Sequence, residues 1–240
     1  MYQPCFAVYI ALDNVGGVGD AMTRDPKQVV EEGYDRIAQR HAEWAAGVRT
    51  EERGRYLATF CGLVPKGDRV LELGCGAGSR VTRELASRFR LIAVDISART
   101  VEGARQAIPG AEFLHRDMTE VDFPPATFAG VAAFYSIIHV PREEHGPLLT
   151  RLGYWLRPGG VFVGALGVSD VPGTYEEDWL GARMFWSSFD AETSRGLVEK
   201  AGLQIEHAVV ETAEEDGEPA SFLWVVARKP AGPTTEKPAV

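Results

Sequence analysis

A glycine-rich turn is the first part of this sequence that could do chemistry. In LELGCGAGS, an apolar run leads into three alternating glycines, Gly74, Gly76 and Gly78. Glycine adopts positive φ and lets a ligand approach the backbone, and a plain connection needs fewer glycines. The dinucleotide fingerprint is G-x-G-x-x-G, whereas Ser79 stands here in place of its third glycine. Glu72 would oppose a pyrophosphate and attract an amino group, so the turn predicts a ligand with a cationic end.

A second group of candidate residues follows the apolar run FAGVAA. Tyr135 and His139 are four residues apart, so they share a face if the segment is helical. The ordinary pKa of histidine suits proton removal near neutrality. His139 is therefore the candidate catalytic base, with Tyr135 as its catalytic neighbour. A packing or hydrogen-bonding role for His139 is the alternative.

The elements that would position these residues alternate between strand and helix. Short apolar runs predict strands at 69–74, 91–95, 111–117, 128–135 and 161–166, and two more at 203–211 and 221–228 around the turn signal Asp216-Gly217. Helices are predicted at 29–44, 51–61, 79–88, 98–107, about 143–156, and from about 190 to before Gly202. The pattern predicts an α/β fold with a Rossmann-like, seven-stranded, mostly parallel sheet, an antiparallel C-terminal hairpin and helices on both faces.

Composition narrows the partners and the location. The 240 residues are 45% hydrophobic and carry a net charge of −9. Nucleic-acid binding usually needs a basic surface, so we expect a small-molecule substrate and no nucleic acid. No apolar run is long enough to span a membrane, and no Lys or Arg precedes Arg24, which disfavours a secretory signal. Three scattered cysteines without metal-ligand spacing predict reduced thiols, no metal and a cytoplasmic protein. The sequence leaves open whether the protein is a monomer or a homodimer.

Five motifs together resemble those of the class I S-adenosylmethionine (SAM) dependent methyltransferases. VLELGCGAGS resembles the first motif of that family, and the acid that ends LIAVD resembles its second. The Asp-Met pair after the third strand, FAGVAAFYSIIHV and WLRPGG resemble the next three. They span about residues 65–165 in the family's order. The resemblance implies the fold above, SAM as cofactor and S-adenosylhomocysteine (SAH) as product.

The resemblance also implies roles for individual residues. Glu72 and the backbone around Gly74 would hold the methionine end of SAM, and Asp95 would bind the two ribose hydroxyls. Asp117 would accept from the adenine amino group beside Met118. The complete implied cofactor set is Glu72, Gly74, Gly76, Gly78, Asp95, Ile96, Asp117, Met118 and Phe134.

The acceptor site is predicted from aromatic residues on either side of these motifs. The helix GYDRIAQRHAEWA resembles the lid helix of small-molecule family members, and the segment 167–189 is rich in aromatics but shows no clear regular structure. An aromatic wall suits a flat or apolar acceptor, or a cationic one aided by the acids 176–178. The predicted acceptor-binding residues are Tyr34, His41, Trp44, Trp179 and Trp186. A dimer contact or a simple core cover is the alternative for these aromatics.

The predicted domain organisation follows from these assignments. We expect an N-terminal extension at 1–21, lid helices at 22–64, a methyltransferase domain at 65–229 with a substrate-region insertion at 167–189, and a disordered tail at 230–240.

Several kinds of methyl acceptor can be argued against. FYSI stands where amino methyltransferases of adenine or glutamine carry Asn/Asp-Pro-Pro-Tyr/Phe, and no cysteine follows the fourth or fifth strand to act as a nucleophile on pyrimidine carbon. An oxygen acceptor is slightly favoured over nitrogen because of His139, with secondary metabolism as the setting. The alternatives are a SAM-binding protein of the same fold without methyl transfer, a nicotinamide oxidoreductase and an RNA methyltransferase.

Overall fold

The computed structural model describes residues 24–231. The six α-helices in that range are α1 (Pro26–Gly47), α2 (Thr50–Leu63), α3 (Arg80–Arg88), α4 (Ala98–Ala107), α5 (His145–Trp155) and α6 (Ala191–Lys200), and two short 3₁₀ helices lie at Ile137–His139 and Arg142–Glu144. The strands are β1 (Arg69–Leu73), β2 (Arg90–Asp95), β3 (Glu112–His115), β4 (Phe128–Ala133), β5 (Leu156–Leu166), β6 (Val171–Trp179), β7 (Ala182–Ser188), β8 (Gln204–Glu215) and β9 (Glu218–Arg228). The predictions for the N-terminal extension and for most of the tail lie outside the described residues.

Seven strands form one sheet in the order β3-β2-β1-β4-β5-β9-β8. The first five strands pair in parallel, while β9 runs antiparallel to both β5 and β8. The predicted fold class and its C-terminal hairpin are therefore confirmed. Because the strand order reverses at β1, a crevice opens beyond the carboxyl ends of β1 and β4.

Alternate side chains of the central strands enter two separate cores. Val70 packs into a core that includes Phe60 of α2 and Leu85 of α3. Leu71 instead packs with Trp155 at the end of α5. This alternation is what a strand buried on both faces produces. It places the side chain of Glu72 on the same face of the sheet as that of Val70.

Polar side chains fix the starts of the helices beside the crevice. The Asp25 carboxylate accepts from the backbone N–H of Lys27 at 3.0 Å, and Pro26 is the first helical residue. The Ser79 hydroxyl accepts from Thr82 N at 3.2 Å at the start of α3. N-capping side chains of this kind stabilise a helix by about 1 kcal/mol.

The expectation that 167–189 lacks regular structure is wrong. β6 and β7 form a separate antiparallel hairpin, in which Tyr175 pairs with Phe185 and Thr174 with Trp186. The two-residue turn is Leu180-Gly181, with φ of 52° and 93°. Two successive positive φ values match the twist of a tight hairpin, but leucine is a poor residue for that conformation, so the turn gave little signal.

The hairpin packs against α1 at a position that admits only a small residue. A Cβ on Gly33 would lie 2.8 Å from the carbonyl oxygen of Arg183 and 2.9 Å from the Met184 Cε. Glycine therefore allows the helix backbone to approach β7 closely. Helix and hairpin together cover the crevice at the end of the sheet.

No helix within residues 24–231 is both long and apolar enough to cross a bilayer. Over the same range, no group of three or more His, Cys, Asp or Glu side chains could hold a metal ion. Cys61 and Cys75 are free thiols.

Candidate active site

A cavity of about 1080 Å³, including its open mouth, lies beyond the carboxyl ends of β1, β2 and β4. One half is walled by the glycine-rich turn and by the residues that follow β2 and β3. The other half is walled by α1, the start of α2, the β6–β7 hairpin, and Glu215 of β8 and Phe222 of β9. The two halves are chemically different.

Two of the three glycines belong to the cavity wall, and the third packs against a helix. Gly74, Gly76 and Gly78 have φ of 78°, 59° and 75°. Gly74 and Gly76 line the cavity, and a Cβ on Gly74 would overlap with the Ser136 side chain. Gly78 does not line it; a Cβ there would lie 3.1 Å from Ala107 Cβ in α4. Gly78 therefore brings the turn close to α4 and does not contact the cavity.

Glu72 presents a buried carboxylate oxygen to the cavity. Its Oε1 accepts from the Thr82 hydroxyl at 3.1 Å, while Oε2 has no hydrogen-bond partner among the described residues. Burial raises the pKa of Glu72 to about 8, with the charge of Asp95 adding to the effect and the Thr82 hydrogen bond opposing it. A buried acceptor without a partner costs free energy, so this oxygen suits a cationic ligand group.

Asp95 ends β2 and stabilises the glycine turn. Its Oδ2 accepts from Gly76 N and its Oδ1 from Ser97 N, both at 3.0 Å. Burial raises the pKa of Asp95 to about 6, and the two backbone hydrogen bonds counteract the rise. Each carboxylate oxygen can accept a further bond, so Asp95 can also hold a pair of hydroxyls. Ile96, Met118 and Phe134 add apolar wall to this half.

His139 is buried and makes two hydrogen bonds within the protein. Its Nδ1 lies 2.9 Å from the Phe185 carbonyl oxygen and its Nε2 lies 2.8 Å from the Tyr34 hydroxyl. A carbonyl only accepts, so Nδ1 carries the proton and Nε2 accepts from Tyr34. Burial lowers the pKa of His139 to about 4, although the Phe185 bond opposes this. The neutral imidazole therefore holds the Tyr34 hydroxyl in place.

Tyr135 does not share a helical face with His139. The chain turns through φ of 62° at Tyr135, and the short 3₁₀ helix begins only at Ile137. The Tyr135 ring instead packs edge-on against Phe222, with ring centroids 4.9 Å apart. Both residues line the cavity, but Tyr34 takes the position beside His139 that the helical interpretation gave to Tyr135.

The five predicted acceptor residues are brought together around Trp179. Its ring centroid lies 5.8 Å from Tyr34, 5.6 Å from His41, 5.4 Å from Trp44 and 5.2 Å from Trp186. All five line the cavity. The pairs with Tyr34, Trp44 and Trp186 are edge-to-face and the pair with His41 is tilted. Edge-to-face packing stabilises such a cluster beyond the burial of its area, so the wall is preformed.

A family model described as "Methyltransferase domain" matches residues 70–160. Residues 70–160 therefore match a methyltransferase domain, and the chain is similar there to SAM-dependent methyltransferases of class I. The match covers the glycine turn, Glu72 and Asp95, so it confirms the family resemblance that the motifs predicted.

The similarity to individual curated proteins is low and covers only part of each protein. The chain is 29% identical over 160 residues to 27-O-demethylrifamycin SV methyltransferase of Amycolatopsis mediterranei (strain S699), covering 58% of each chain. It spans about half the length of the curated relatives it matches.

Two solved structures share the fold. The N-methyltransferase NodS from Bradyrhizobium japonicum WM9, in complex with SAH, is similar with a TM-score of 0.63 at 18% identity, over 86% of this chain and 100% of that one. The [4+2]-cyclase SpnF is similar with a TM-score of 0.66 at 16% identity, over 86% and 97%. At these identities the likeness is one of fold alone.

Besides Gly78, a second predicted cofactor residue of the methyltransferase motifs lies outside the cavity wall. Asp117 is not among the lining residues. Its carboxylate binds Lys27 Nζ at 2.8 Å and accepts from Thr119 N at 2.7 Å. Lys27 also contacts Glu144 at 2.6 Å, so this network joins the start of α1 to the loop after β3. The adenine contact of Asp117 stays a prediction.

A charged group in the cavity wall was missed by the sequence analysis. Arg49 Nε donates to Glu215 Oε2 at 2.6 Å, and the Arg49 guanidinium lies over the Phe222 ring at 4.4 Å. Arg53 lies over the Tyr135 ring at 5.3 Å. All of these residues line the cavity. The run EERGR gives no hint of this, because its charges are those of any exposed helix face.

Proposed function

We propose that this protein transfers the methyl group of SAM to a small-molecule acceptor, with oxygen slightly favoured over nitrogen as the receiving atom. The observation that carries the proposal is the joining of two unlike halves in one cavity. Unpartnered Glu72 Oε2 and buried Asp95 wall one end, and the aromatic cluster around Trp179 walls the other. We propose further that the protein is cytoplasmic and acts without nucleic acid, as the net charge of −9 favours.

The first half of the cavity fits the cofactor chemically. Glu72 Oε2 would hold the ammonium group, and Asp95 would accept from the two ribose hydroxyls. Met118 and Ile96 would supply apolar contact to the adenine. When bound there, SAM supplies an electrophilic methyl group on a sulfonium. The protein's main contribution is alignment of the acceptor with that methyl group, which can lower a barrier by roughly 7–11 kcal/mol.

Tyr34 and His139 are the residues that we propose to orient an acceptor hydroxyl. His139 Nδ1–H is fixed by the Phe185 carbonyl, so Nε2 faces the Tyr34 oxygen at 2.8 Å. An acceptor O–H that donates to the Tyr34 oxygen could pass its proton there while Tyr34 passes its own to Nε2. The lowered pKa of His139, about 4, makes the imidazole a weak base, so orientation is the larger part of this role.

Cofactor binding is tested by calorimetric titration with SAM, SAH and NADH. We expect micromolar binding of the first two and none of NADH. The variant Asp95→Asn should weaken SAM binding at least about tenfold, because one carboxylate oxygen that can accept a hydroxyl is lost. If neither SAM nor SAH bound, the proposed function would be wrong.

Turnover is tested by release of SAH in a screen of hydroxylated and amino acceptors. We expect Tyr34→Phe to lower kcat by about 10²-fold or more while leaving the SAM affinity within about twofold, because the ring stays in the aromatic wall. Tyr56→Phe is the matched control, since the Tyr56 hydroxyl bonds Glu211 at 2.8 Å and the ring does not line the cavity. Unchanged kcat in Tyr34→Phe would contradict the role given to this hydroxyl.

The alternative is a SAM-binding protein of this fold that transfers no methyl group. Such a protein would bind SAM and SAH in the titration but release no SAH with any acceptor. The two measurements together therefore separate the proposed function from this alternative.

A further inference from the structure

The acceptor half of the cavity contains a guanidinium with no carboxylate partner among residues 24–231. Arg53 lines the cavity, and Arg53 Nη1 donates to the Ala45 carbonyl oxygen at 2.6 Å. No described Asp or Glu oxygen lies within the 4.0 Å that defines an ion pair. The neighbouring Arg49 differs, because it pairs with Glu215. Glu52 is buried on the same helix and acts on Arg53 from a distance, but it does not line the cavity. Arg53 is therefore the cavity-lining guanidinium that has no carboxylate in direct contact among the described residues.

We propose that Arg53 anchors a carboxylate group carried by the acceptor, an assignment that rests on the methyltransferase function proposed above. A guanidinium presents five N–H donors in a planar fork and binds a carboxylate through two parallel hydrogen bonds. The Ala45 carbonyl engages Nη1 on one side, and the Tyr135 ring lies 5.3 Å from the guanidinium carbon. These two contacts hold the fork in place before a ligand arrives, which lowers the entropy lost on binding.

The aromatic wall describes the rest of the acceptor. Trp44, Trp179 and Trp186 line the same cavity as Arg53, so an acceptor that contacts both is an acid with a flat or apolar body. The assignment concerns the anchoring group only. The atom that receives the methyl group is a separate question, which the Tyr34 and His139 experiments address.

A cationic acceptor is the competing possibility, and the charges in the wall disfavour it. The acids Glu176, Glu177 and Asp178, expected from the sequence to favour a cation, do not line the cavity. Glu177 instead pairs with Arg183 at 2.9 Å. A cation near Tyr135 would meet Arg53, whose own pKa is already lowered by burial and, against the opposing effect of nearby acids, by Arg49.

The experiment uses tryptophan fluorescence of the whole protein, since three of its five tryptophans line the cavity. The probes are 3-phenylpropanoate, 4-phenylbutanoate and dodecanoate, each compared with its primary amide and its primary amine. All are titrated with and without SAH. We expect at least one acid to quench the fluorescence saturably and to bind at least about tenfold more tightly than its amide and its amine.

Variants then assign that discrimination to one side chain. In Arg53→Gln the acid-to-amide ratio should fall to within about twofold, and in Arg53→Lys it should be intermediate, because a lysine keeps the charge but not the fork. Arg55→Gln is the matched control. It removes the same charge two residues later on α2, from an exposed residue that pairs with Glu211 outside the cavity, and it should keep the wild-type ratio.

Three results would overturn the proposal: an unchanged ratio in Arg53→Gln, equal binding of amide or amine in the wild type, or no saturable binding of any acid below about 10 mM. Unaltered SAH affinity in Arg53→Gln shows that the variant is folded. If the proposed function is wrong, the wild type should not bind SAH. That failure is distinguishable from failure of the Arg53 proposal, because the preference for the acid over its amide and amine is also measured without SAH.

Discussion

Binding of SAM should release a proton from Glu72. This carboxyl is buried, and its pKa of about 8 stands well above its ordinary value of 4.5, chiefly because of burial and secondly because of Asp95. At pH 7 a group with that pKa is about nine-tenths protonated. Before the proposed cofactor binds, the cavity therefore presents a neutral acid at the position to which that cofactor brings a cation.

The expected stoichiometry follows from two opposing changes. The ammonium group of SAM beside Oε2 favours the ionised form of Glu72. Binding of SAM at pH 7 should therefore release nearly all of the roughly 0.9 proton that Glu72 holds. An α-amino group of ordinary pKa, about 7.7–8.0, is itself slightly deprotonated at pH 7 and takes up roughly 0.1 proton on forming the pair. The net release is about 0.8 proton at pH 7. The SAM affinity should therefore rise with pH by about that slope near pH 7, by about 1 near pH 6, and hardly at all by pH 8, where release and uptake cancel.

The assay is calorimetry at pH 7 in phosphate, HEPES and Tris. The slope of the observed enthalpy against the ionisation enthalpy of the buffer gives the number of protons released. Glu72→Gln is the control, because the amide has almost the same shape but carries no titrating proton. It should bind SAM more weakly and give a slope near zero or slightly negative. A zero slope in the wild type, or an equal slope in the variant, would refute the reasoning.

Two further predictions concern stability. A ring kept neutral by burial binds fewer protons in the folded state, so His139 contributes stability above its ordinary pKa of 6.5 that is lost as the pH falls to about 4. In urea unfolding, the free energy of unfolding of the wild type should therefore fall by up to about 3 kcal/mol relative to that of His139→Gln over that range. The raised pKa of Glu72 acts in the opposite direction, but Glu72 titrates in both proteins and its effect cancels in the comparison. A difference in unfolding free energy that stays constant with pH would contradict the prediction. Gly74→Ala should destabilise the protein by more than about 2 kcal/mol and weaken SAM binding, because its Cβ would overlap with Ser136 at a φ of 78°. Gly67→Ala has the same strain at φ of 82° but open space around the new Cβ, so its cost should be near 1 kcal/mol, and equal losses in the two variants would rule out the overlap.

The cofactor half of the site could be predicted from the sequence because its signals are local. An apolar run fixes β1, and the glycines that follow must end it. Glu72 and Asp95 then reach the cavity because parallel strands place their carboxyl ends at one edge of the sheet. No long-range contact is needed to make that inference. The exception is Gly78, whose spacing alone cannot distinguish contact with a ligand from packing against α4.

The predicted helical pairing of Tyr135 with His139 was wrong because of the backbone conformation, while the catalytic role of Tyr135 stays a prediction. Spacing by four residues is informative only inside a regular helix, and the segment is helical only from Ile137 to His139. Tyrosine at positive φ is uncommon, so nothing in the sequence announced the turn. Tyr34, which pairs with His139, is 105 residues away along the chain, and only the packing of α1 on the β6–β7 hairpin brings the two together.

The charged residues of the acceptor half were not predicted, because the sequence analysis ended β8 and began β9 at the wrong residues. The sequence placed the end of β8 at 211 and the start of β9 at 221, whereas the ladder continues to the pair Glu215 and Glu218. Those extra residues carry Glu215 to Arg49, 166 positions earlier in the chain. Strand boundaries are the least reliable part of a sequence interpretation, and here an error of four residues concealed the ion pair of Arg49 with Glu215, beside which Arg53 lies. Because Arg49 and Arg53 lie outside the motif-bearing strands, substitutions there can change the acceptor without disturbing Glu72 or Asp95. The selectivity of this cavity for an acid is therefore expected to depend on residues that the methyltransferase motifs do not include.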